Sequence, residues 1–181
     1  MHLRPENIAN DIIFVGDPDR VPKVSKHFDS IEFETSKRES VTHTGFIGKK
    51  RLTVISTGIG TDNIDIVLTE LDALVNIDLE TRTEKAQKTA LNIIRIGTSG
   101  TLVEDVDCDS ILYSEFGLGL DGLMNFYAYE NSELEKNILQ EINNHIPNLP
   151  VMPKIAAASS KLMQLFESDH MIKGITATAT G

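Results

Sequence analysis

The chain has 181 residues, 40% apolar and 24% charged, with 12 glycines and 6 prolines. This composition excludes collagen-like, linker and low-complexity sequence, and fits a single domain that buries roughly 70% of its unfolded surface. Lys plus Arg total 17 against 27 Asp plus Glu, a net charge of -10, which excludes a general binder of nucleic acid or anionic membrane. One cysteine, Cys108, excludes an internal disulfide.

Short apolar runs alternate with helical patterns along the chain. Ile12–Val15 is a four-residue apolar run ending at Gly16, as in a buried strand. Asp17 and Pro18 follow as N-cap and first helical residue. Val21, Val24 and Phe28 recur on one helix face. Ile31 and Phe33 alternate with Glu32 and Glu34, predicting a strand half in water. Leu52–Ile55 is a further strand, closed by Ser56-Thr57-Gly58-Ile59-Gly60. The clearest helix carries Ile64, Val67, Leu68, Leu71, Leu74 and Val75 as one apolar stripe. Residues 79–90 are polar and predict an exposed loop or short helix.

Ile93–Ile96 predicts a strand ending in Gly97-Thr98-Ser99-Gly100, and Asp109–Tyr113 another. Ser132-x-x-Glu135 is a capping box opening a helix with Leu134, Ile138, Leu139 and Ile142. A short helix through Leu162, Leu165 and Phe166 precedes a last strand, Ile175–Thr180. Strand, glycine turn and helix in repeated order imply an α/β protein with a largely parallel sheet. No apolar run approaches the ~18 residues of a membrane helix. The segment Met1–Glu6 lacks the apolar core of a signal peptide, so the expected location is the cytoplasm.

Three glycine turns follow three strands, at Gly16, at Gly58–Gly60 and at Gly97–Gly100. Glycine lets backbone N–H groups approach a ligand, and a following helix adds its positive end, a combination suited to a phosphate-sized anion. Arg95 interrupts an apolar strand two residues before Gly97, and a buried arginine needs an anionic or polar partner. Arg20 lies four residues after Gly16, where its charge opposes a helix dipole unless an anion binds. Taken singly, Arg95 reads equally well as a salt-bridge partner and Arg20 as a solvated helix residue. Together, beside glycine turns, they favour an anion site. Arg38 reads as an ordinary loop charge. His2, His27, His43, His145 and His170 show no metal spacing, and Cys108 sits among Glu104, Asp105 and Asp107, a setting that disfavours a nucleophilic thiolate. Gly-x-Ser-x-Gly and Walker-type motifs are absent.

In order and spacing these motifs resemble the nucleoside phosphorylases of the uridine phosphorylase and hexameric purine nucleoside phosphorylase superfamily. Gly16-Asp17-Pro18-Asp19-Arg20-Val21 is similar to that family's first phosphate loop and leans to the uridine phosphorylase branch. Ser56-Thr57-Gly58-Ile59-Gly60 is similar to its second strand-turn signature, and Arg95-Ile96-Gly97-Thr98-Ser99-Gly100 to its Arg-Ile-Gly-Thr-x-Gly motif. The resemblance implies a phosphorylase-like three-layer α/β fold, a mixed, largely parallel central sheet flanked by helices, in one domain over residues 1–181. It implies phosphate ligands at Gly16, Arg20, Arg95 and Thr98, and at Arg38, lent by a neighbouring subunit. Arg95, Arg20 and Arg38 are then the catalytic set. Thr98 and Gly100 fall beside ribose and base. His2, followed by Leu3, resembles the ribose-contacting histidine but stands about two residues closer to Gly16 than the family pattern has it. Glu39, Ile59 and Asn63 fall where some uridine phosphorylases hold a monovalent cation at the dimer interface, with Asn63 in place of a serine. No other cofactor is implied; inorganic phosphate is the co-substrate.

The activity implied is reversible phosphorolysis of a uridine-like nucleoside to base and ribose 1-phosphate, by a dimer or a trimer of dimers. Thr178-Ala179-Thr180-Gly181 resembles the strand before the family's Phe-Tyr-x-Pro-Gln-x-Arg base-binding segment. That segment, a Glu-Met-Glu motif and a final helix are not among the 181 residues, so the expectation is a C-terminally incomplete domain with impaired turnover. The alternatives are a non-catalytic phosphate- or nucleotide-binding remnant, an interaction subunit completing sites in a longer chain, and a purine nucleoside phosphorylase. A nucleosidase, using water, would not need the three arginines.

Overall fold

The computed structural model describes residues 1–166, 168 and 170–179. It divides into two compact units, residues 1–99 and 100–181. Along the first unit run β1 (Asp11–Val15), a 3-10 turn (Pro18–Arg20), α1 (Val21–Ser25), β2 (Ser30–Lys37), β3 (Ser40–Ile47) and β4 (Lys50–Ser56). There follow α2 (Thr61–Asn76), the two-residue strands β5 (Ile77–Asp78) and β6 (Thr83–Glu84), and β7 (Asn92–Ile96).

Five strands form one mixed sheet in the order β2-β3-β4-β1-β7. β1 runs parallel to β4 and to β7, whereas β2–β3 and β3–β4 are antiparallel. Alternation assigns the faces. Ile12, Phe14 and Ile55 point one way and bury with Val67, Leu71 and Leu74 of α2. Val15 and Val54 point the other way and bury with Val21 of α1. The unit is therefore three layers, helix on sheet on helix. Each fully buried aliphatic side chain contributes about 1.5–3 kcal/mol by leaving water.

β3 escapes hydrophobic patterning for a physical reason. The side chains it turns to the α2 face are Ser40, Thr42 and Thr44, all buried. Thr44 replaces a methyl contact with hydrogen bonds: its hydroxyl donates to the Asn7 carbonyl at 2.7 Å and meets the Thr53 hydroxyl at 2.8 Å. Several expected elements change length. The α1 helix ends at Ser25, so Phe28 packs from the following turn rather than from the helix. Leu68 of the α2 stripe is exposed. Residues 79–90 are largely exposed, with a short antiparallel β5–β6 ribbon at their start.

The second unit carries β8 (Leu112–Gly119), α3 (Glu133–His145), β9 (Lys154–Ala157), α4 (Ser160–Phe166) and β10 (Ile172–Thr178). Its three-stranded sheet has the order β10-β8-β9, parallel between β10 and β8 and antiparallel between β8 and β9. The strand expected at 109–113 thus begins at Leu112 and continues to Gly119. The last strand starts earlier than its Ile175 expectation, and its expected end at Thr180, with Gly181, lies outside the described residues. The Ser132–Glu135 capping box forms as the sequence predicts. The Glu135 carboxylate, 2% exposed, accepts from the Tyr129 hydroxyl, the Ser132 N–H and hydroxyl, and the Ala157 N–H. No helix among the described residues is long and apolar enough to cross a membrane.

Candidate phosphate site

Strand register brings three glycine-bearing turns together. Val15 stands opposite Ser56 of β4 and opposite Ile96 of β7, in parallel pairing. Gly16, Thr57 and Gly97 therefore leave the sheet side by side, at the carboxyl ends of parallel strands, where open α/β sheets bind ligands. The Thr57 N–H donates to the Val15 carbonyl at 2.8 Å and fixes the second turn against the first.

Arg95 lies across these turns. It stands opposite Phe14 in the sheet. A Cβ added at Gly97 would come within 2.5 Å of Arg95 Nη1, and one at Gly16 would touch Arg95 Nη2 and the Gly58 carbonyl, both at 3.7 Å. The glycines thus leave the room that the guanidinium occupies. The sequence reading placed Arg95 in a buried strand; β7 is an edge strand and Arg95 is exposed. Exposure removes the desolvation argument for a partner. The salt-bridge alternative also falls, because Arg95 meets no carboxylate among the described residues. Arg51, by contrast, is fully engaged, with Glu32 and with the Ile8 and Glu6 carbonyls.

Arg20 ends the 3-10 turn that Asp17 caps, with the Asp17 carboxylate accepting from the Asp19 N–H at 2.9 Å. It is half-buried and makes no ion pair among the described residues. Its penalty against a helix dipole is small, since α1 has only five residues. Arg38 is exposed in the two-residue turn between β2 and β3, at φ +54, and is likewise without an ion pair. Thr98 is exposed just after β7, and Gly100 opens the second unit. His2 is exposed at φ +58, between Met1 and Leu3, which pack against the α2 core. The structure therefore joins Gly16, Gly97 and Arg95 directly, and leaves Arg38 and His2 facing solvent.

Glu39, Ile59 and Asn63 do meet. A Cβ on Gly58 would lie 2.7 Å from Asn63 Nδ2 and 2.8 Å from Glu39 Cγ. The Asn63 amide donates to the Ile59 carbonyl at 2.9 Å. A monovalent cation needs a cage of oxygens. Here the Asn63 N–H group is directed at the Ile59 carbonyl, and this copy offers one carboxylate, Glu39, to a site that the resemblance shares between two copies. Among the described residues no cluster of three or more His, Cys, Asp or Glu could hold a metal.

Ser56 escaped the reading of site residues because it looks like the polar end of an apolar strand. Its hydroxyl is buried and ties the Arg38–Glu39 turn to β4.

A mixed α/β sheet with glycine turns at the carboxyl ends of its parallel strands is the architecture of a specific class: the chain belongs to the phosphorylase superfamily, whose family model matches residues 11–181. It is 28% identical over 125 residues to the uridine phosphorylase of Thermococcus kodakarensis, covering 69% of this chain and 40% of that protein. Over 162 residues it is 23% identical to a DeoD-type purine nucleoside phosphorylase of Shewanella baltica, covering 89% of this chain and 61% of that one. Among solved structures it matches a nucleoside phosphorylase of Trypanosoma brucei described as showing uridine phosphorylase activity, with a TM-score of 0.89 and 29% identity. That match covers 100% of this chain and 66% of the other. The chain thus spans less than two thirds of the length of these relatives.

Proposed function

We propose that these residues form the phosphate-holding part of a nucleoside phosphorylase that acts on a uridine-like nucleoside. The observation that carries the reading is the Arg95 guanidinium, which meets no carboxylate among the described residues, lying over the Gly16 and Gly97 turns at the carboxyl ends of parallel strands. Arg20 stands at the far end of the Gly16 turn. In this reading Arg95 and Arg20 grip a phosphate dianion through charge-assisted hydrogen bonds, while the turn N–H groups and Thr98 fix its rotation. A second copy of the chain lends Arg38.

The chemistry asks for no side-chain nucleophile. One phosphate oxygen bonds to the anomeric carbon of the sugar on the face opposite the base. The C–N glycosidic bond breaks, its electron pair leaves with the base, and the base takes up a proton. The bound dianion also stabilises the positive charge that develops on the sugar. The products are ribose 1-phosphate and free base.

Phosphorolysis of uridine and of inosine, followed by base release, tests the reading. Arg95→Ala is expected to lower kcat/KM by about 10²–10³-fold, the usual effect of removing one donor to a reacting anion. Measurable and equal rates for wild type and Arg95→Ala would overturn it. The inosine arm addresses the purine alternative, which the 23% identical alignment with the Shewanella baltica enzyme raises. Faster turnover of inosine than of uridine would assign the chain to that branch.

A further inference from the structure

Where β4 leaves the sheet, two consecutive residues are tied in opposite directions. The β3–β4 pairing reaches Thr42 opposite Ile55 and goes no further. Beyond it, a side chain takes over from the backbone. The Val41 N–H donates to Ser56 Oγ at 2.7 Å, and the Ser56 hydroxyl donates to the Glu39 carbonyl at 2.5 Å. The next residue turns the other way, with the Thr57 N–H donating to the carbonyl of Val15, the residue before Gly16. One point on β4 therefore fixes both the Gly16 turn and the turn carrying Arg38 and Glu39.

The second turn needs such a tie. Arg38 has φ +54, a conformation that costs a residue with a Cβ and persists only where the surroundings hold it. Arg38 is exposed and its side chain is without a partner among the described residues, so nothing at its own tip supplies that hold. Ser56 is fully buried, and its hydroxyl is the donor to the Glu39 carbonyl. Loss of the hydroxyl would leave the Val41 N–H and the Glu39 carbonyl without it, freeing the turn to relax.

We infer that Ser56 is a positioning residue for phosphate binding, acting through the Arg38 turn rather than by touching the anion. The inference rests on the phosphate reading above. Its signature is coupling: removal of the Ser56 hydroxyl and removal of the Arg38 side chain abolish the same contribution.

The test is calorimetric titration of the full chain with inorganic phosphate, comparing wild type, Ser56→Thr, Ser56→Val, Arg38→Ala and the double variant Ser56→Val/Arg38→Ala. Thr and Val match in volume, so only the hydroxyl separates them, and both fold or fail together on steric grounds. Ser56→Ala serves as a smaller second probe. Ser56→Val and Arg38→Ala are each expected to weaken phosphate binding about tenfold relative to Ser56→Thr and wild type respectively. The double variant should bind no more weakly than Arg38→Ala alone. If Ser56→Val and Ser56→Thr bind equally, or if the two losses add, the inference falls while the phosphate reading stands; if Arg38→Ala binds like wild type, the inference falls and Arg38 leaves the site, with Arg95 and Arg20 still holding the anion. A wild-type chain that takes up no phosphate overturns the phosphate reading, and this inference with it.

Discussion

Gly58 shows how tightly single residues are specified near the turns. It adopts φ +75, and a Cβ there would lie 2.7 Å from Asn63 Nδ2 and 2.8 Å from Glu39 Cγ. Alanine at this position meets both a disfavoured backbone conformation and two side chains. Gly58→Ala should therefore lower stability by about 1–2 kcal/mol, seen as a fall in Tm of about 2–8 °C. An unchanged midpoint would mean that the turn relaxes freely. The motif around Gly58 was legible in the sequence because glycine at such a turn has a backbone cause. The neighbourhood of Arg95 was legible only in part. Its place before Gly97 was plain, but its exposure follows from β7 lying at the sheet edge, which no local pattern encodes.

Elements behaved according to what their buried faces are made of. The α2 helix was readable because Val67, Leu71 and Leu74 repeat at helical spacing and do bury. β3 was not, because its inward residues are Ser40, Thr42 and Thr44, polar side chains that hydrophobic periodicity discards. The α3 helix mixes both cases. Its capping box was legible, yet Leu134 is exposed while Glu135 is buried, since the carboxylate collects hydrogen bonds from two other segments.

Those bonds give α3 a pH signature. The Tyr129 hydroxyl foremost, then the Ser132 N–H, hold the Glu135 carboxyl down from an ordinary 4.5 to about 2. A carboxylate with a depressed folded pKa stabilises the fold above its unfolded value and loses that contribution as pH falls through the folded one. Thermal melts taken from pH 5 down to pH 2 should thus show a decline that Glu135→Gln flattens, with the variant already less stable at neutral pH. Parallel curves for the two proteins would show that the bonds are made without energetic consequence.

For the whole molecule, charge and assembly bear on the proposed site. A net charge of -10 repels a phosphate dianion at long range, so binding depends on guanidinium groups at contact distance. The reading assigns one of them, Arg38, to a neighbouring copy. Sedimentation velocity at micromolar concentration is expected to show a dimer or larger species. A monomer that nonetheless binds phosphate would remove Arg38 from the site and leave Arg20 and Arg95 to hold the anion.

The sequence by itself determined the α/β class, the order of the three glycine turns and the arginines beside two of them, because glycine and arginine carry their constraints locally, in backbone freedom and in charge. Only the tertiary structure decided that strand pairing sets Gly16, Thr57 and Gly97 side by side, that Arg95 lies over two of those turns with no carboxylate against it among the described residues, and that a buried serine holds the Arg38 turn to β4. Apart from Arg95 over its own Gly97 turn, these are relations between residues 40 or more positions apart or across a hairpin, fixed by strand register, and register is settled by the sheet as a whole rather than by any one segment.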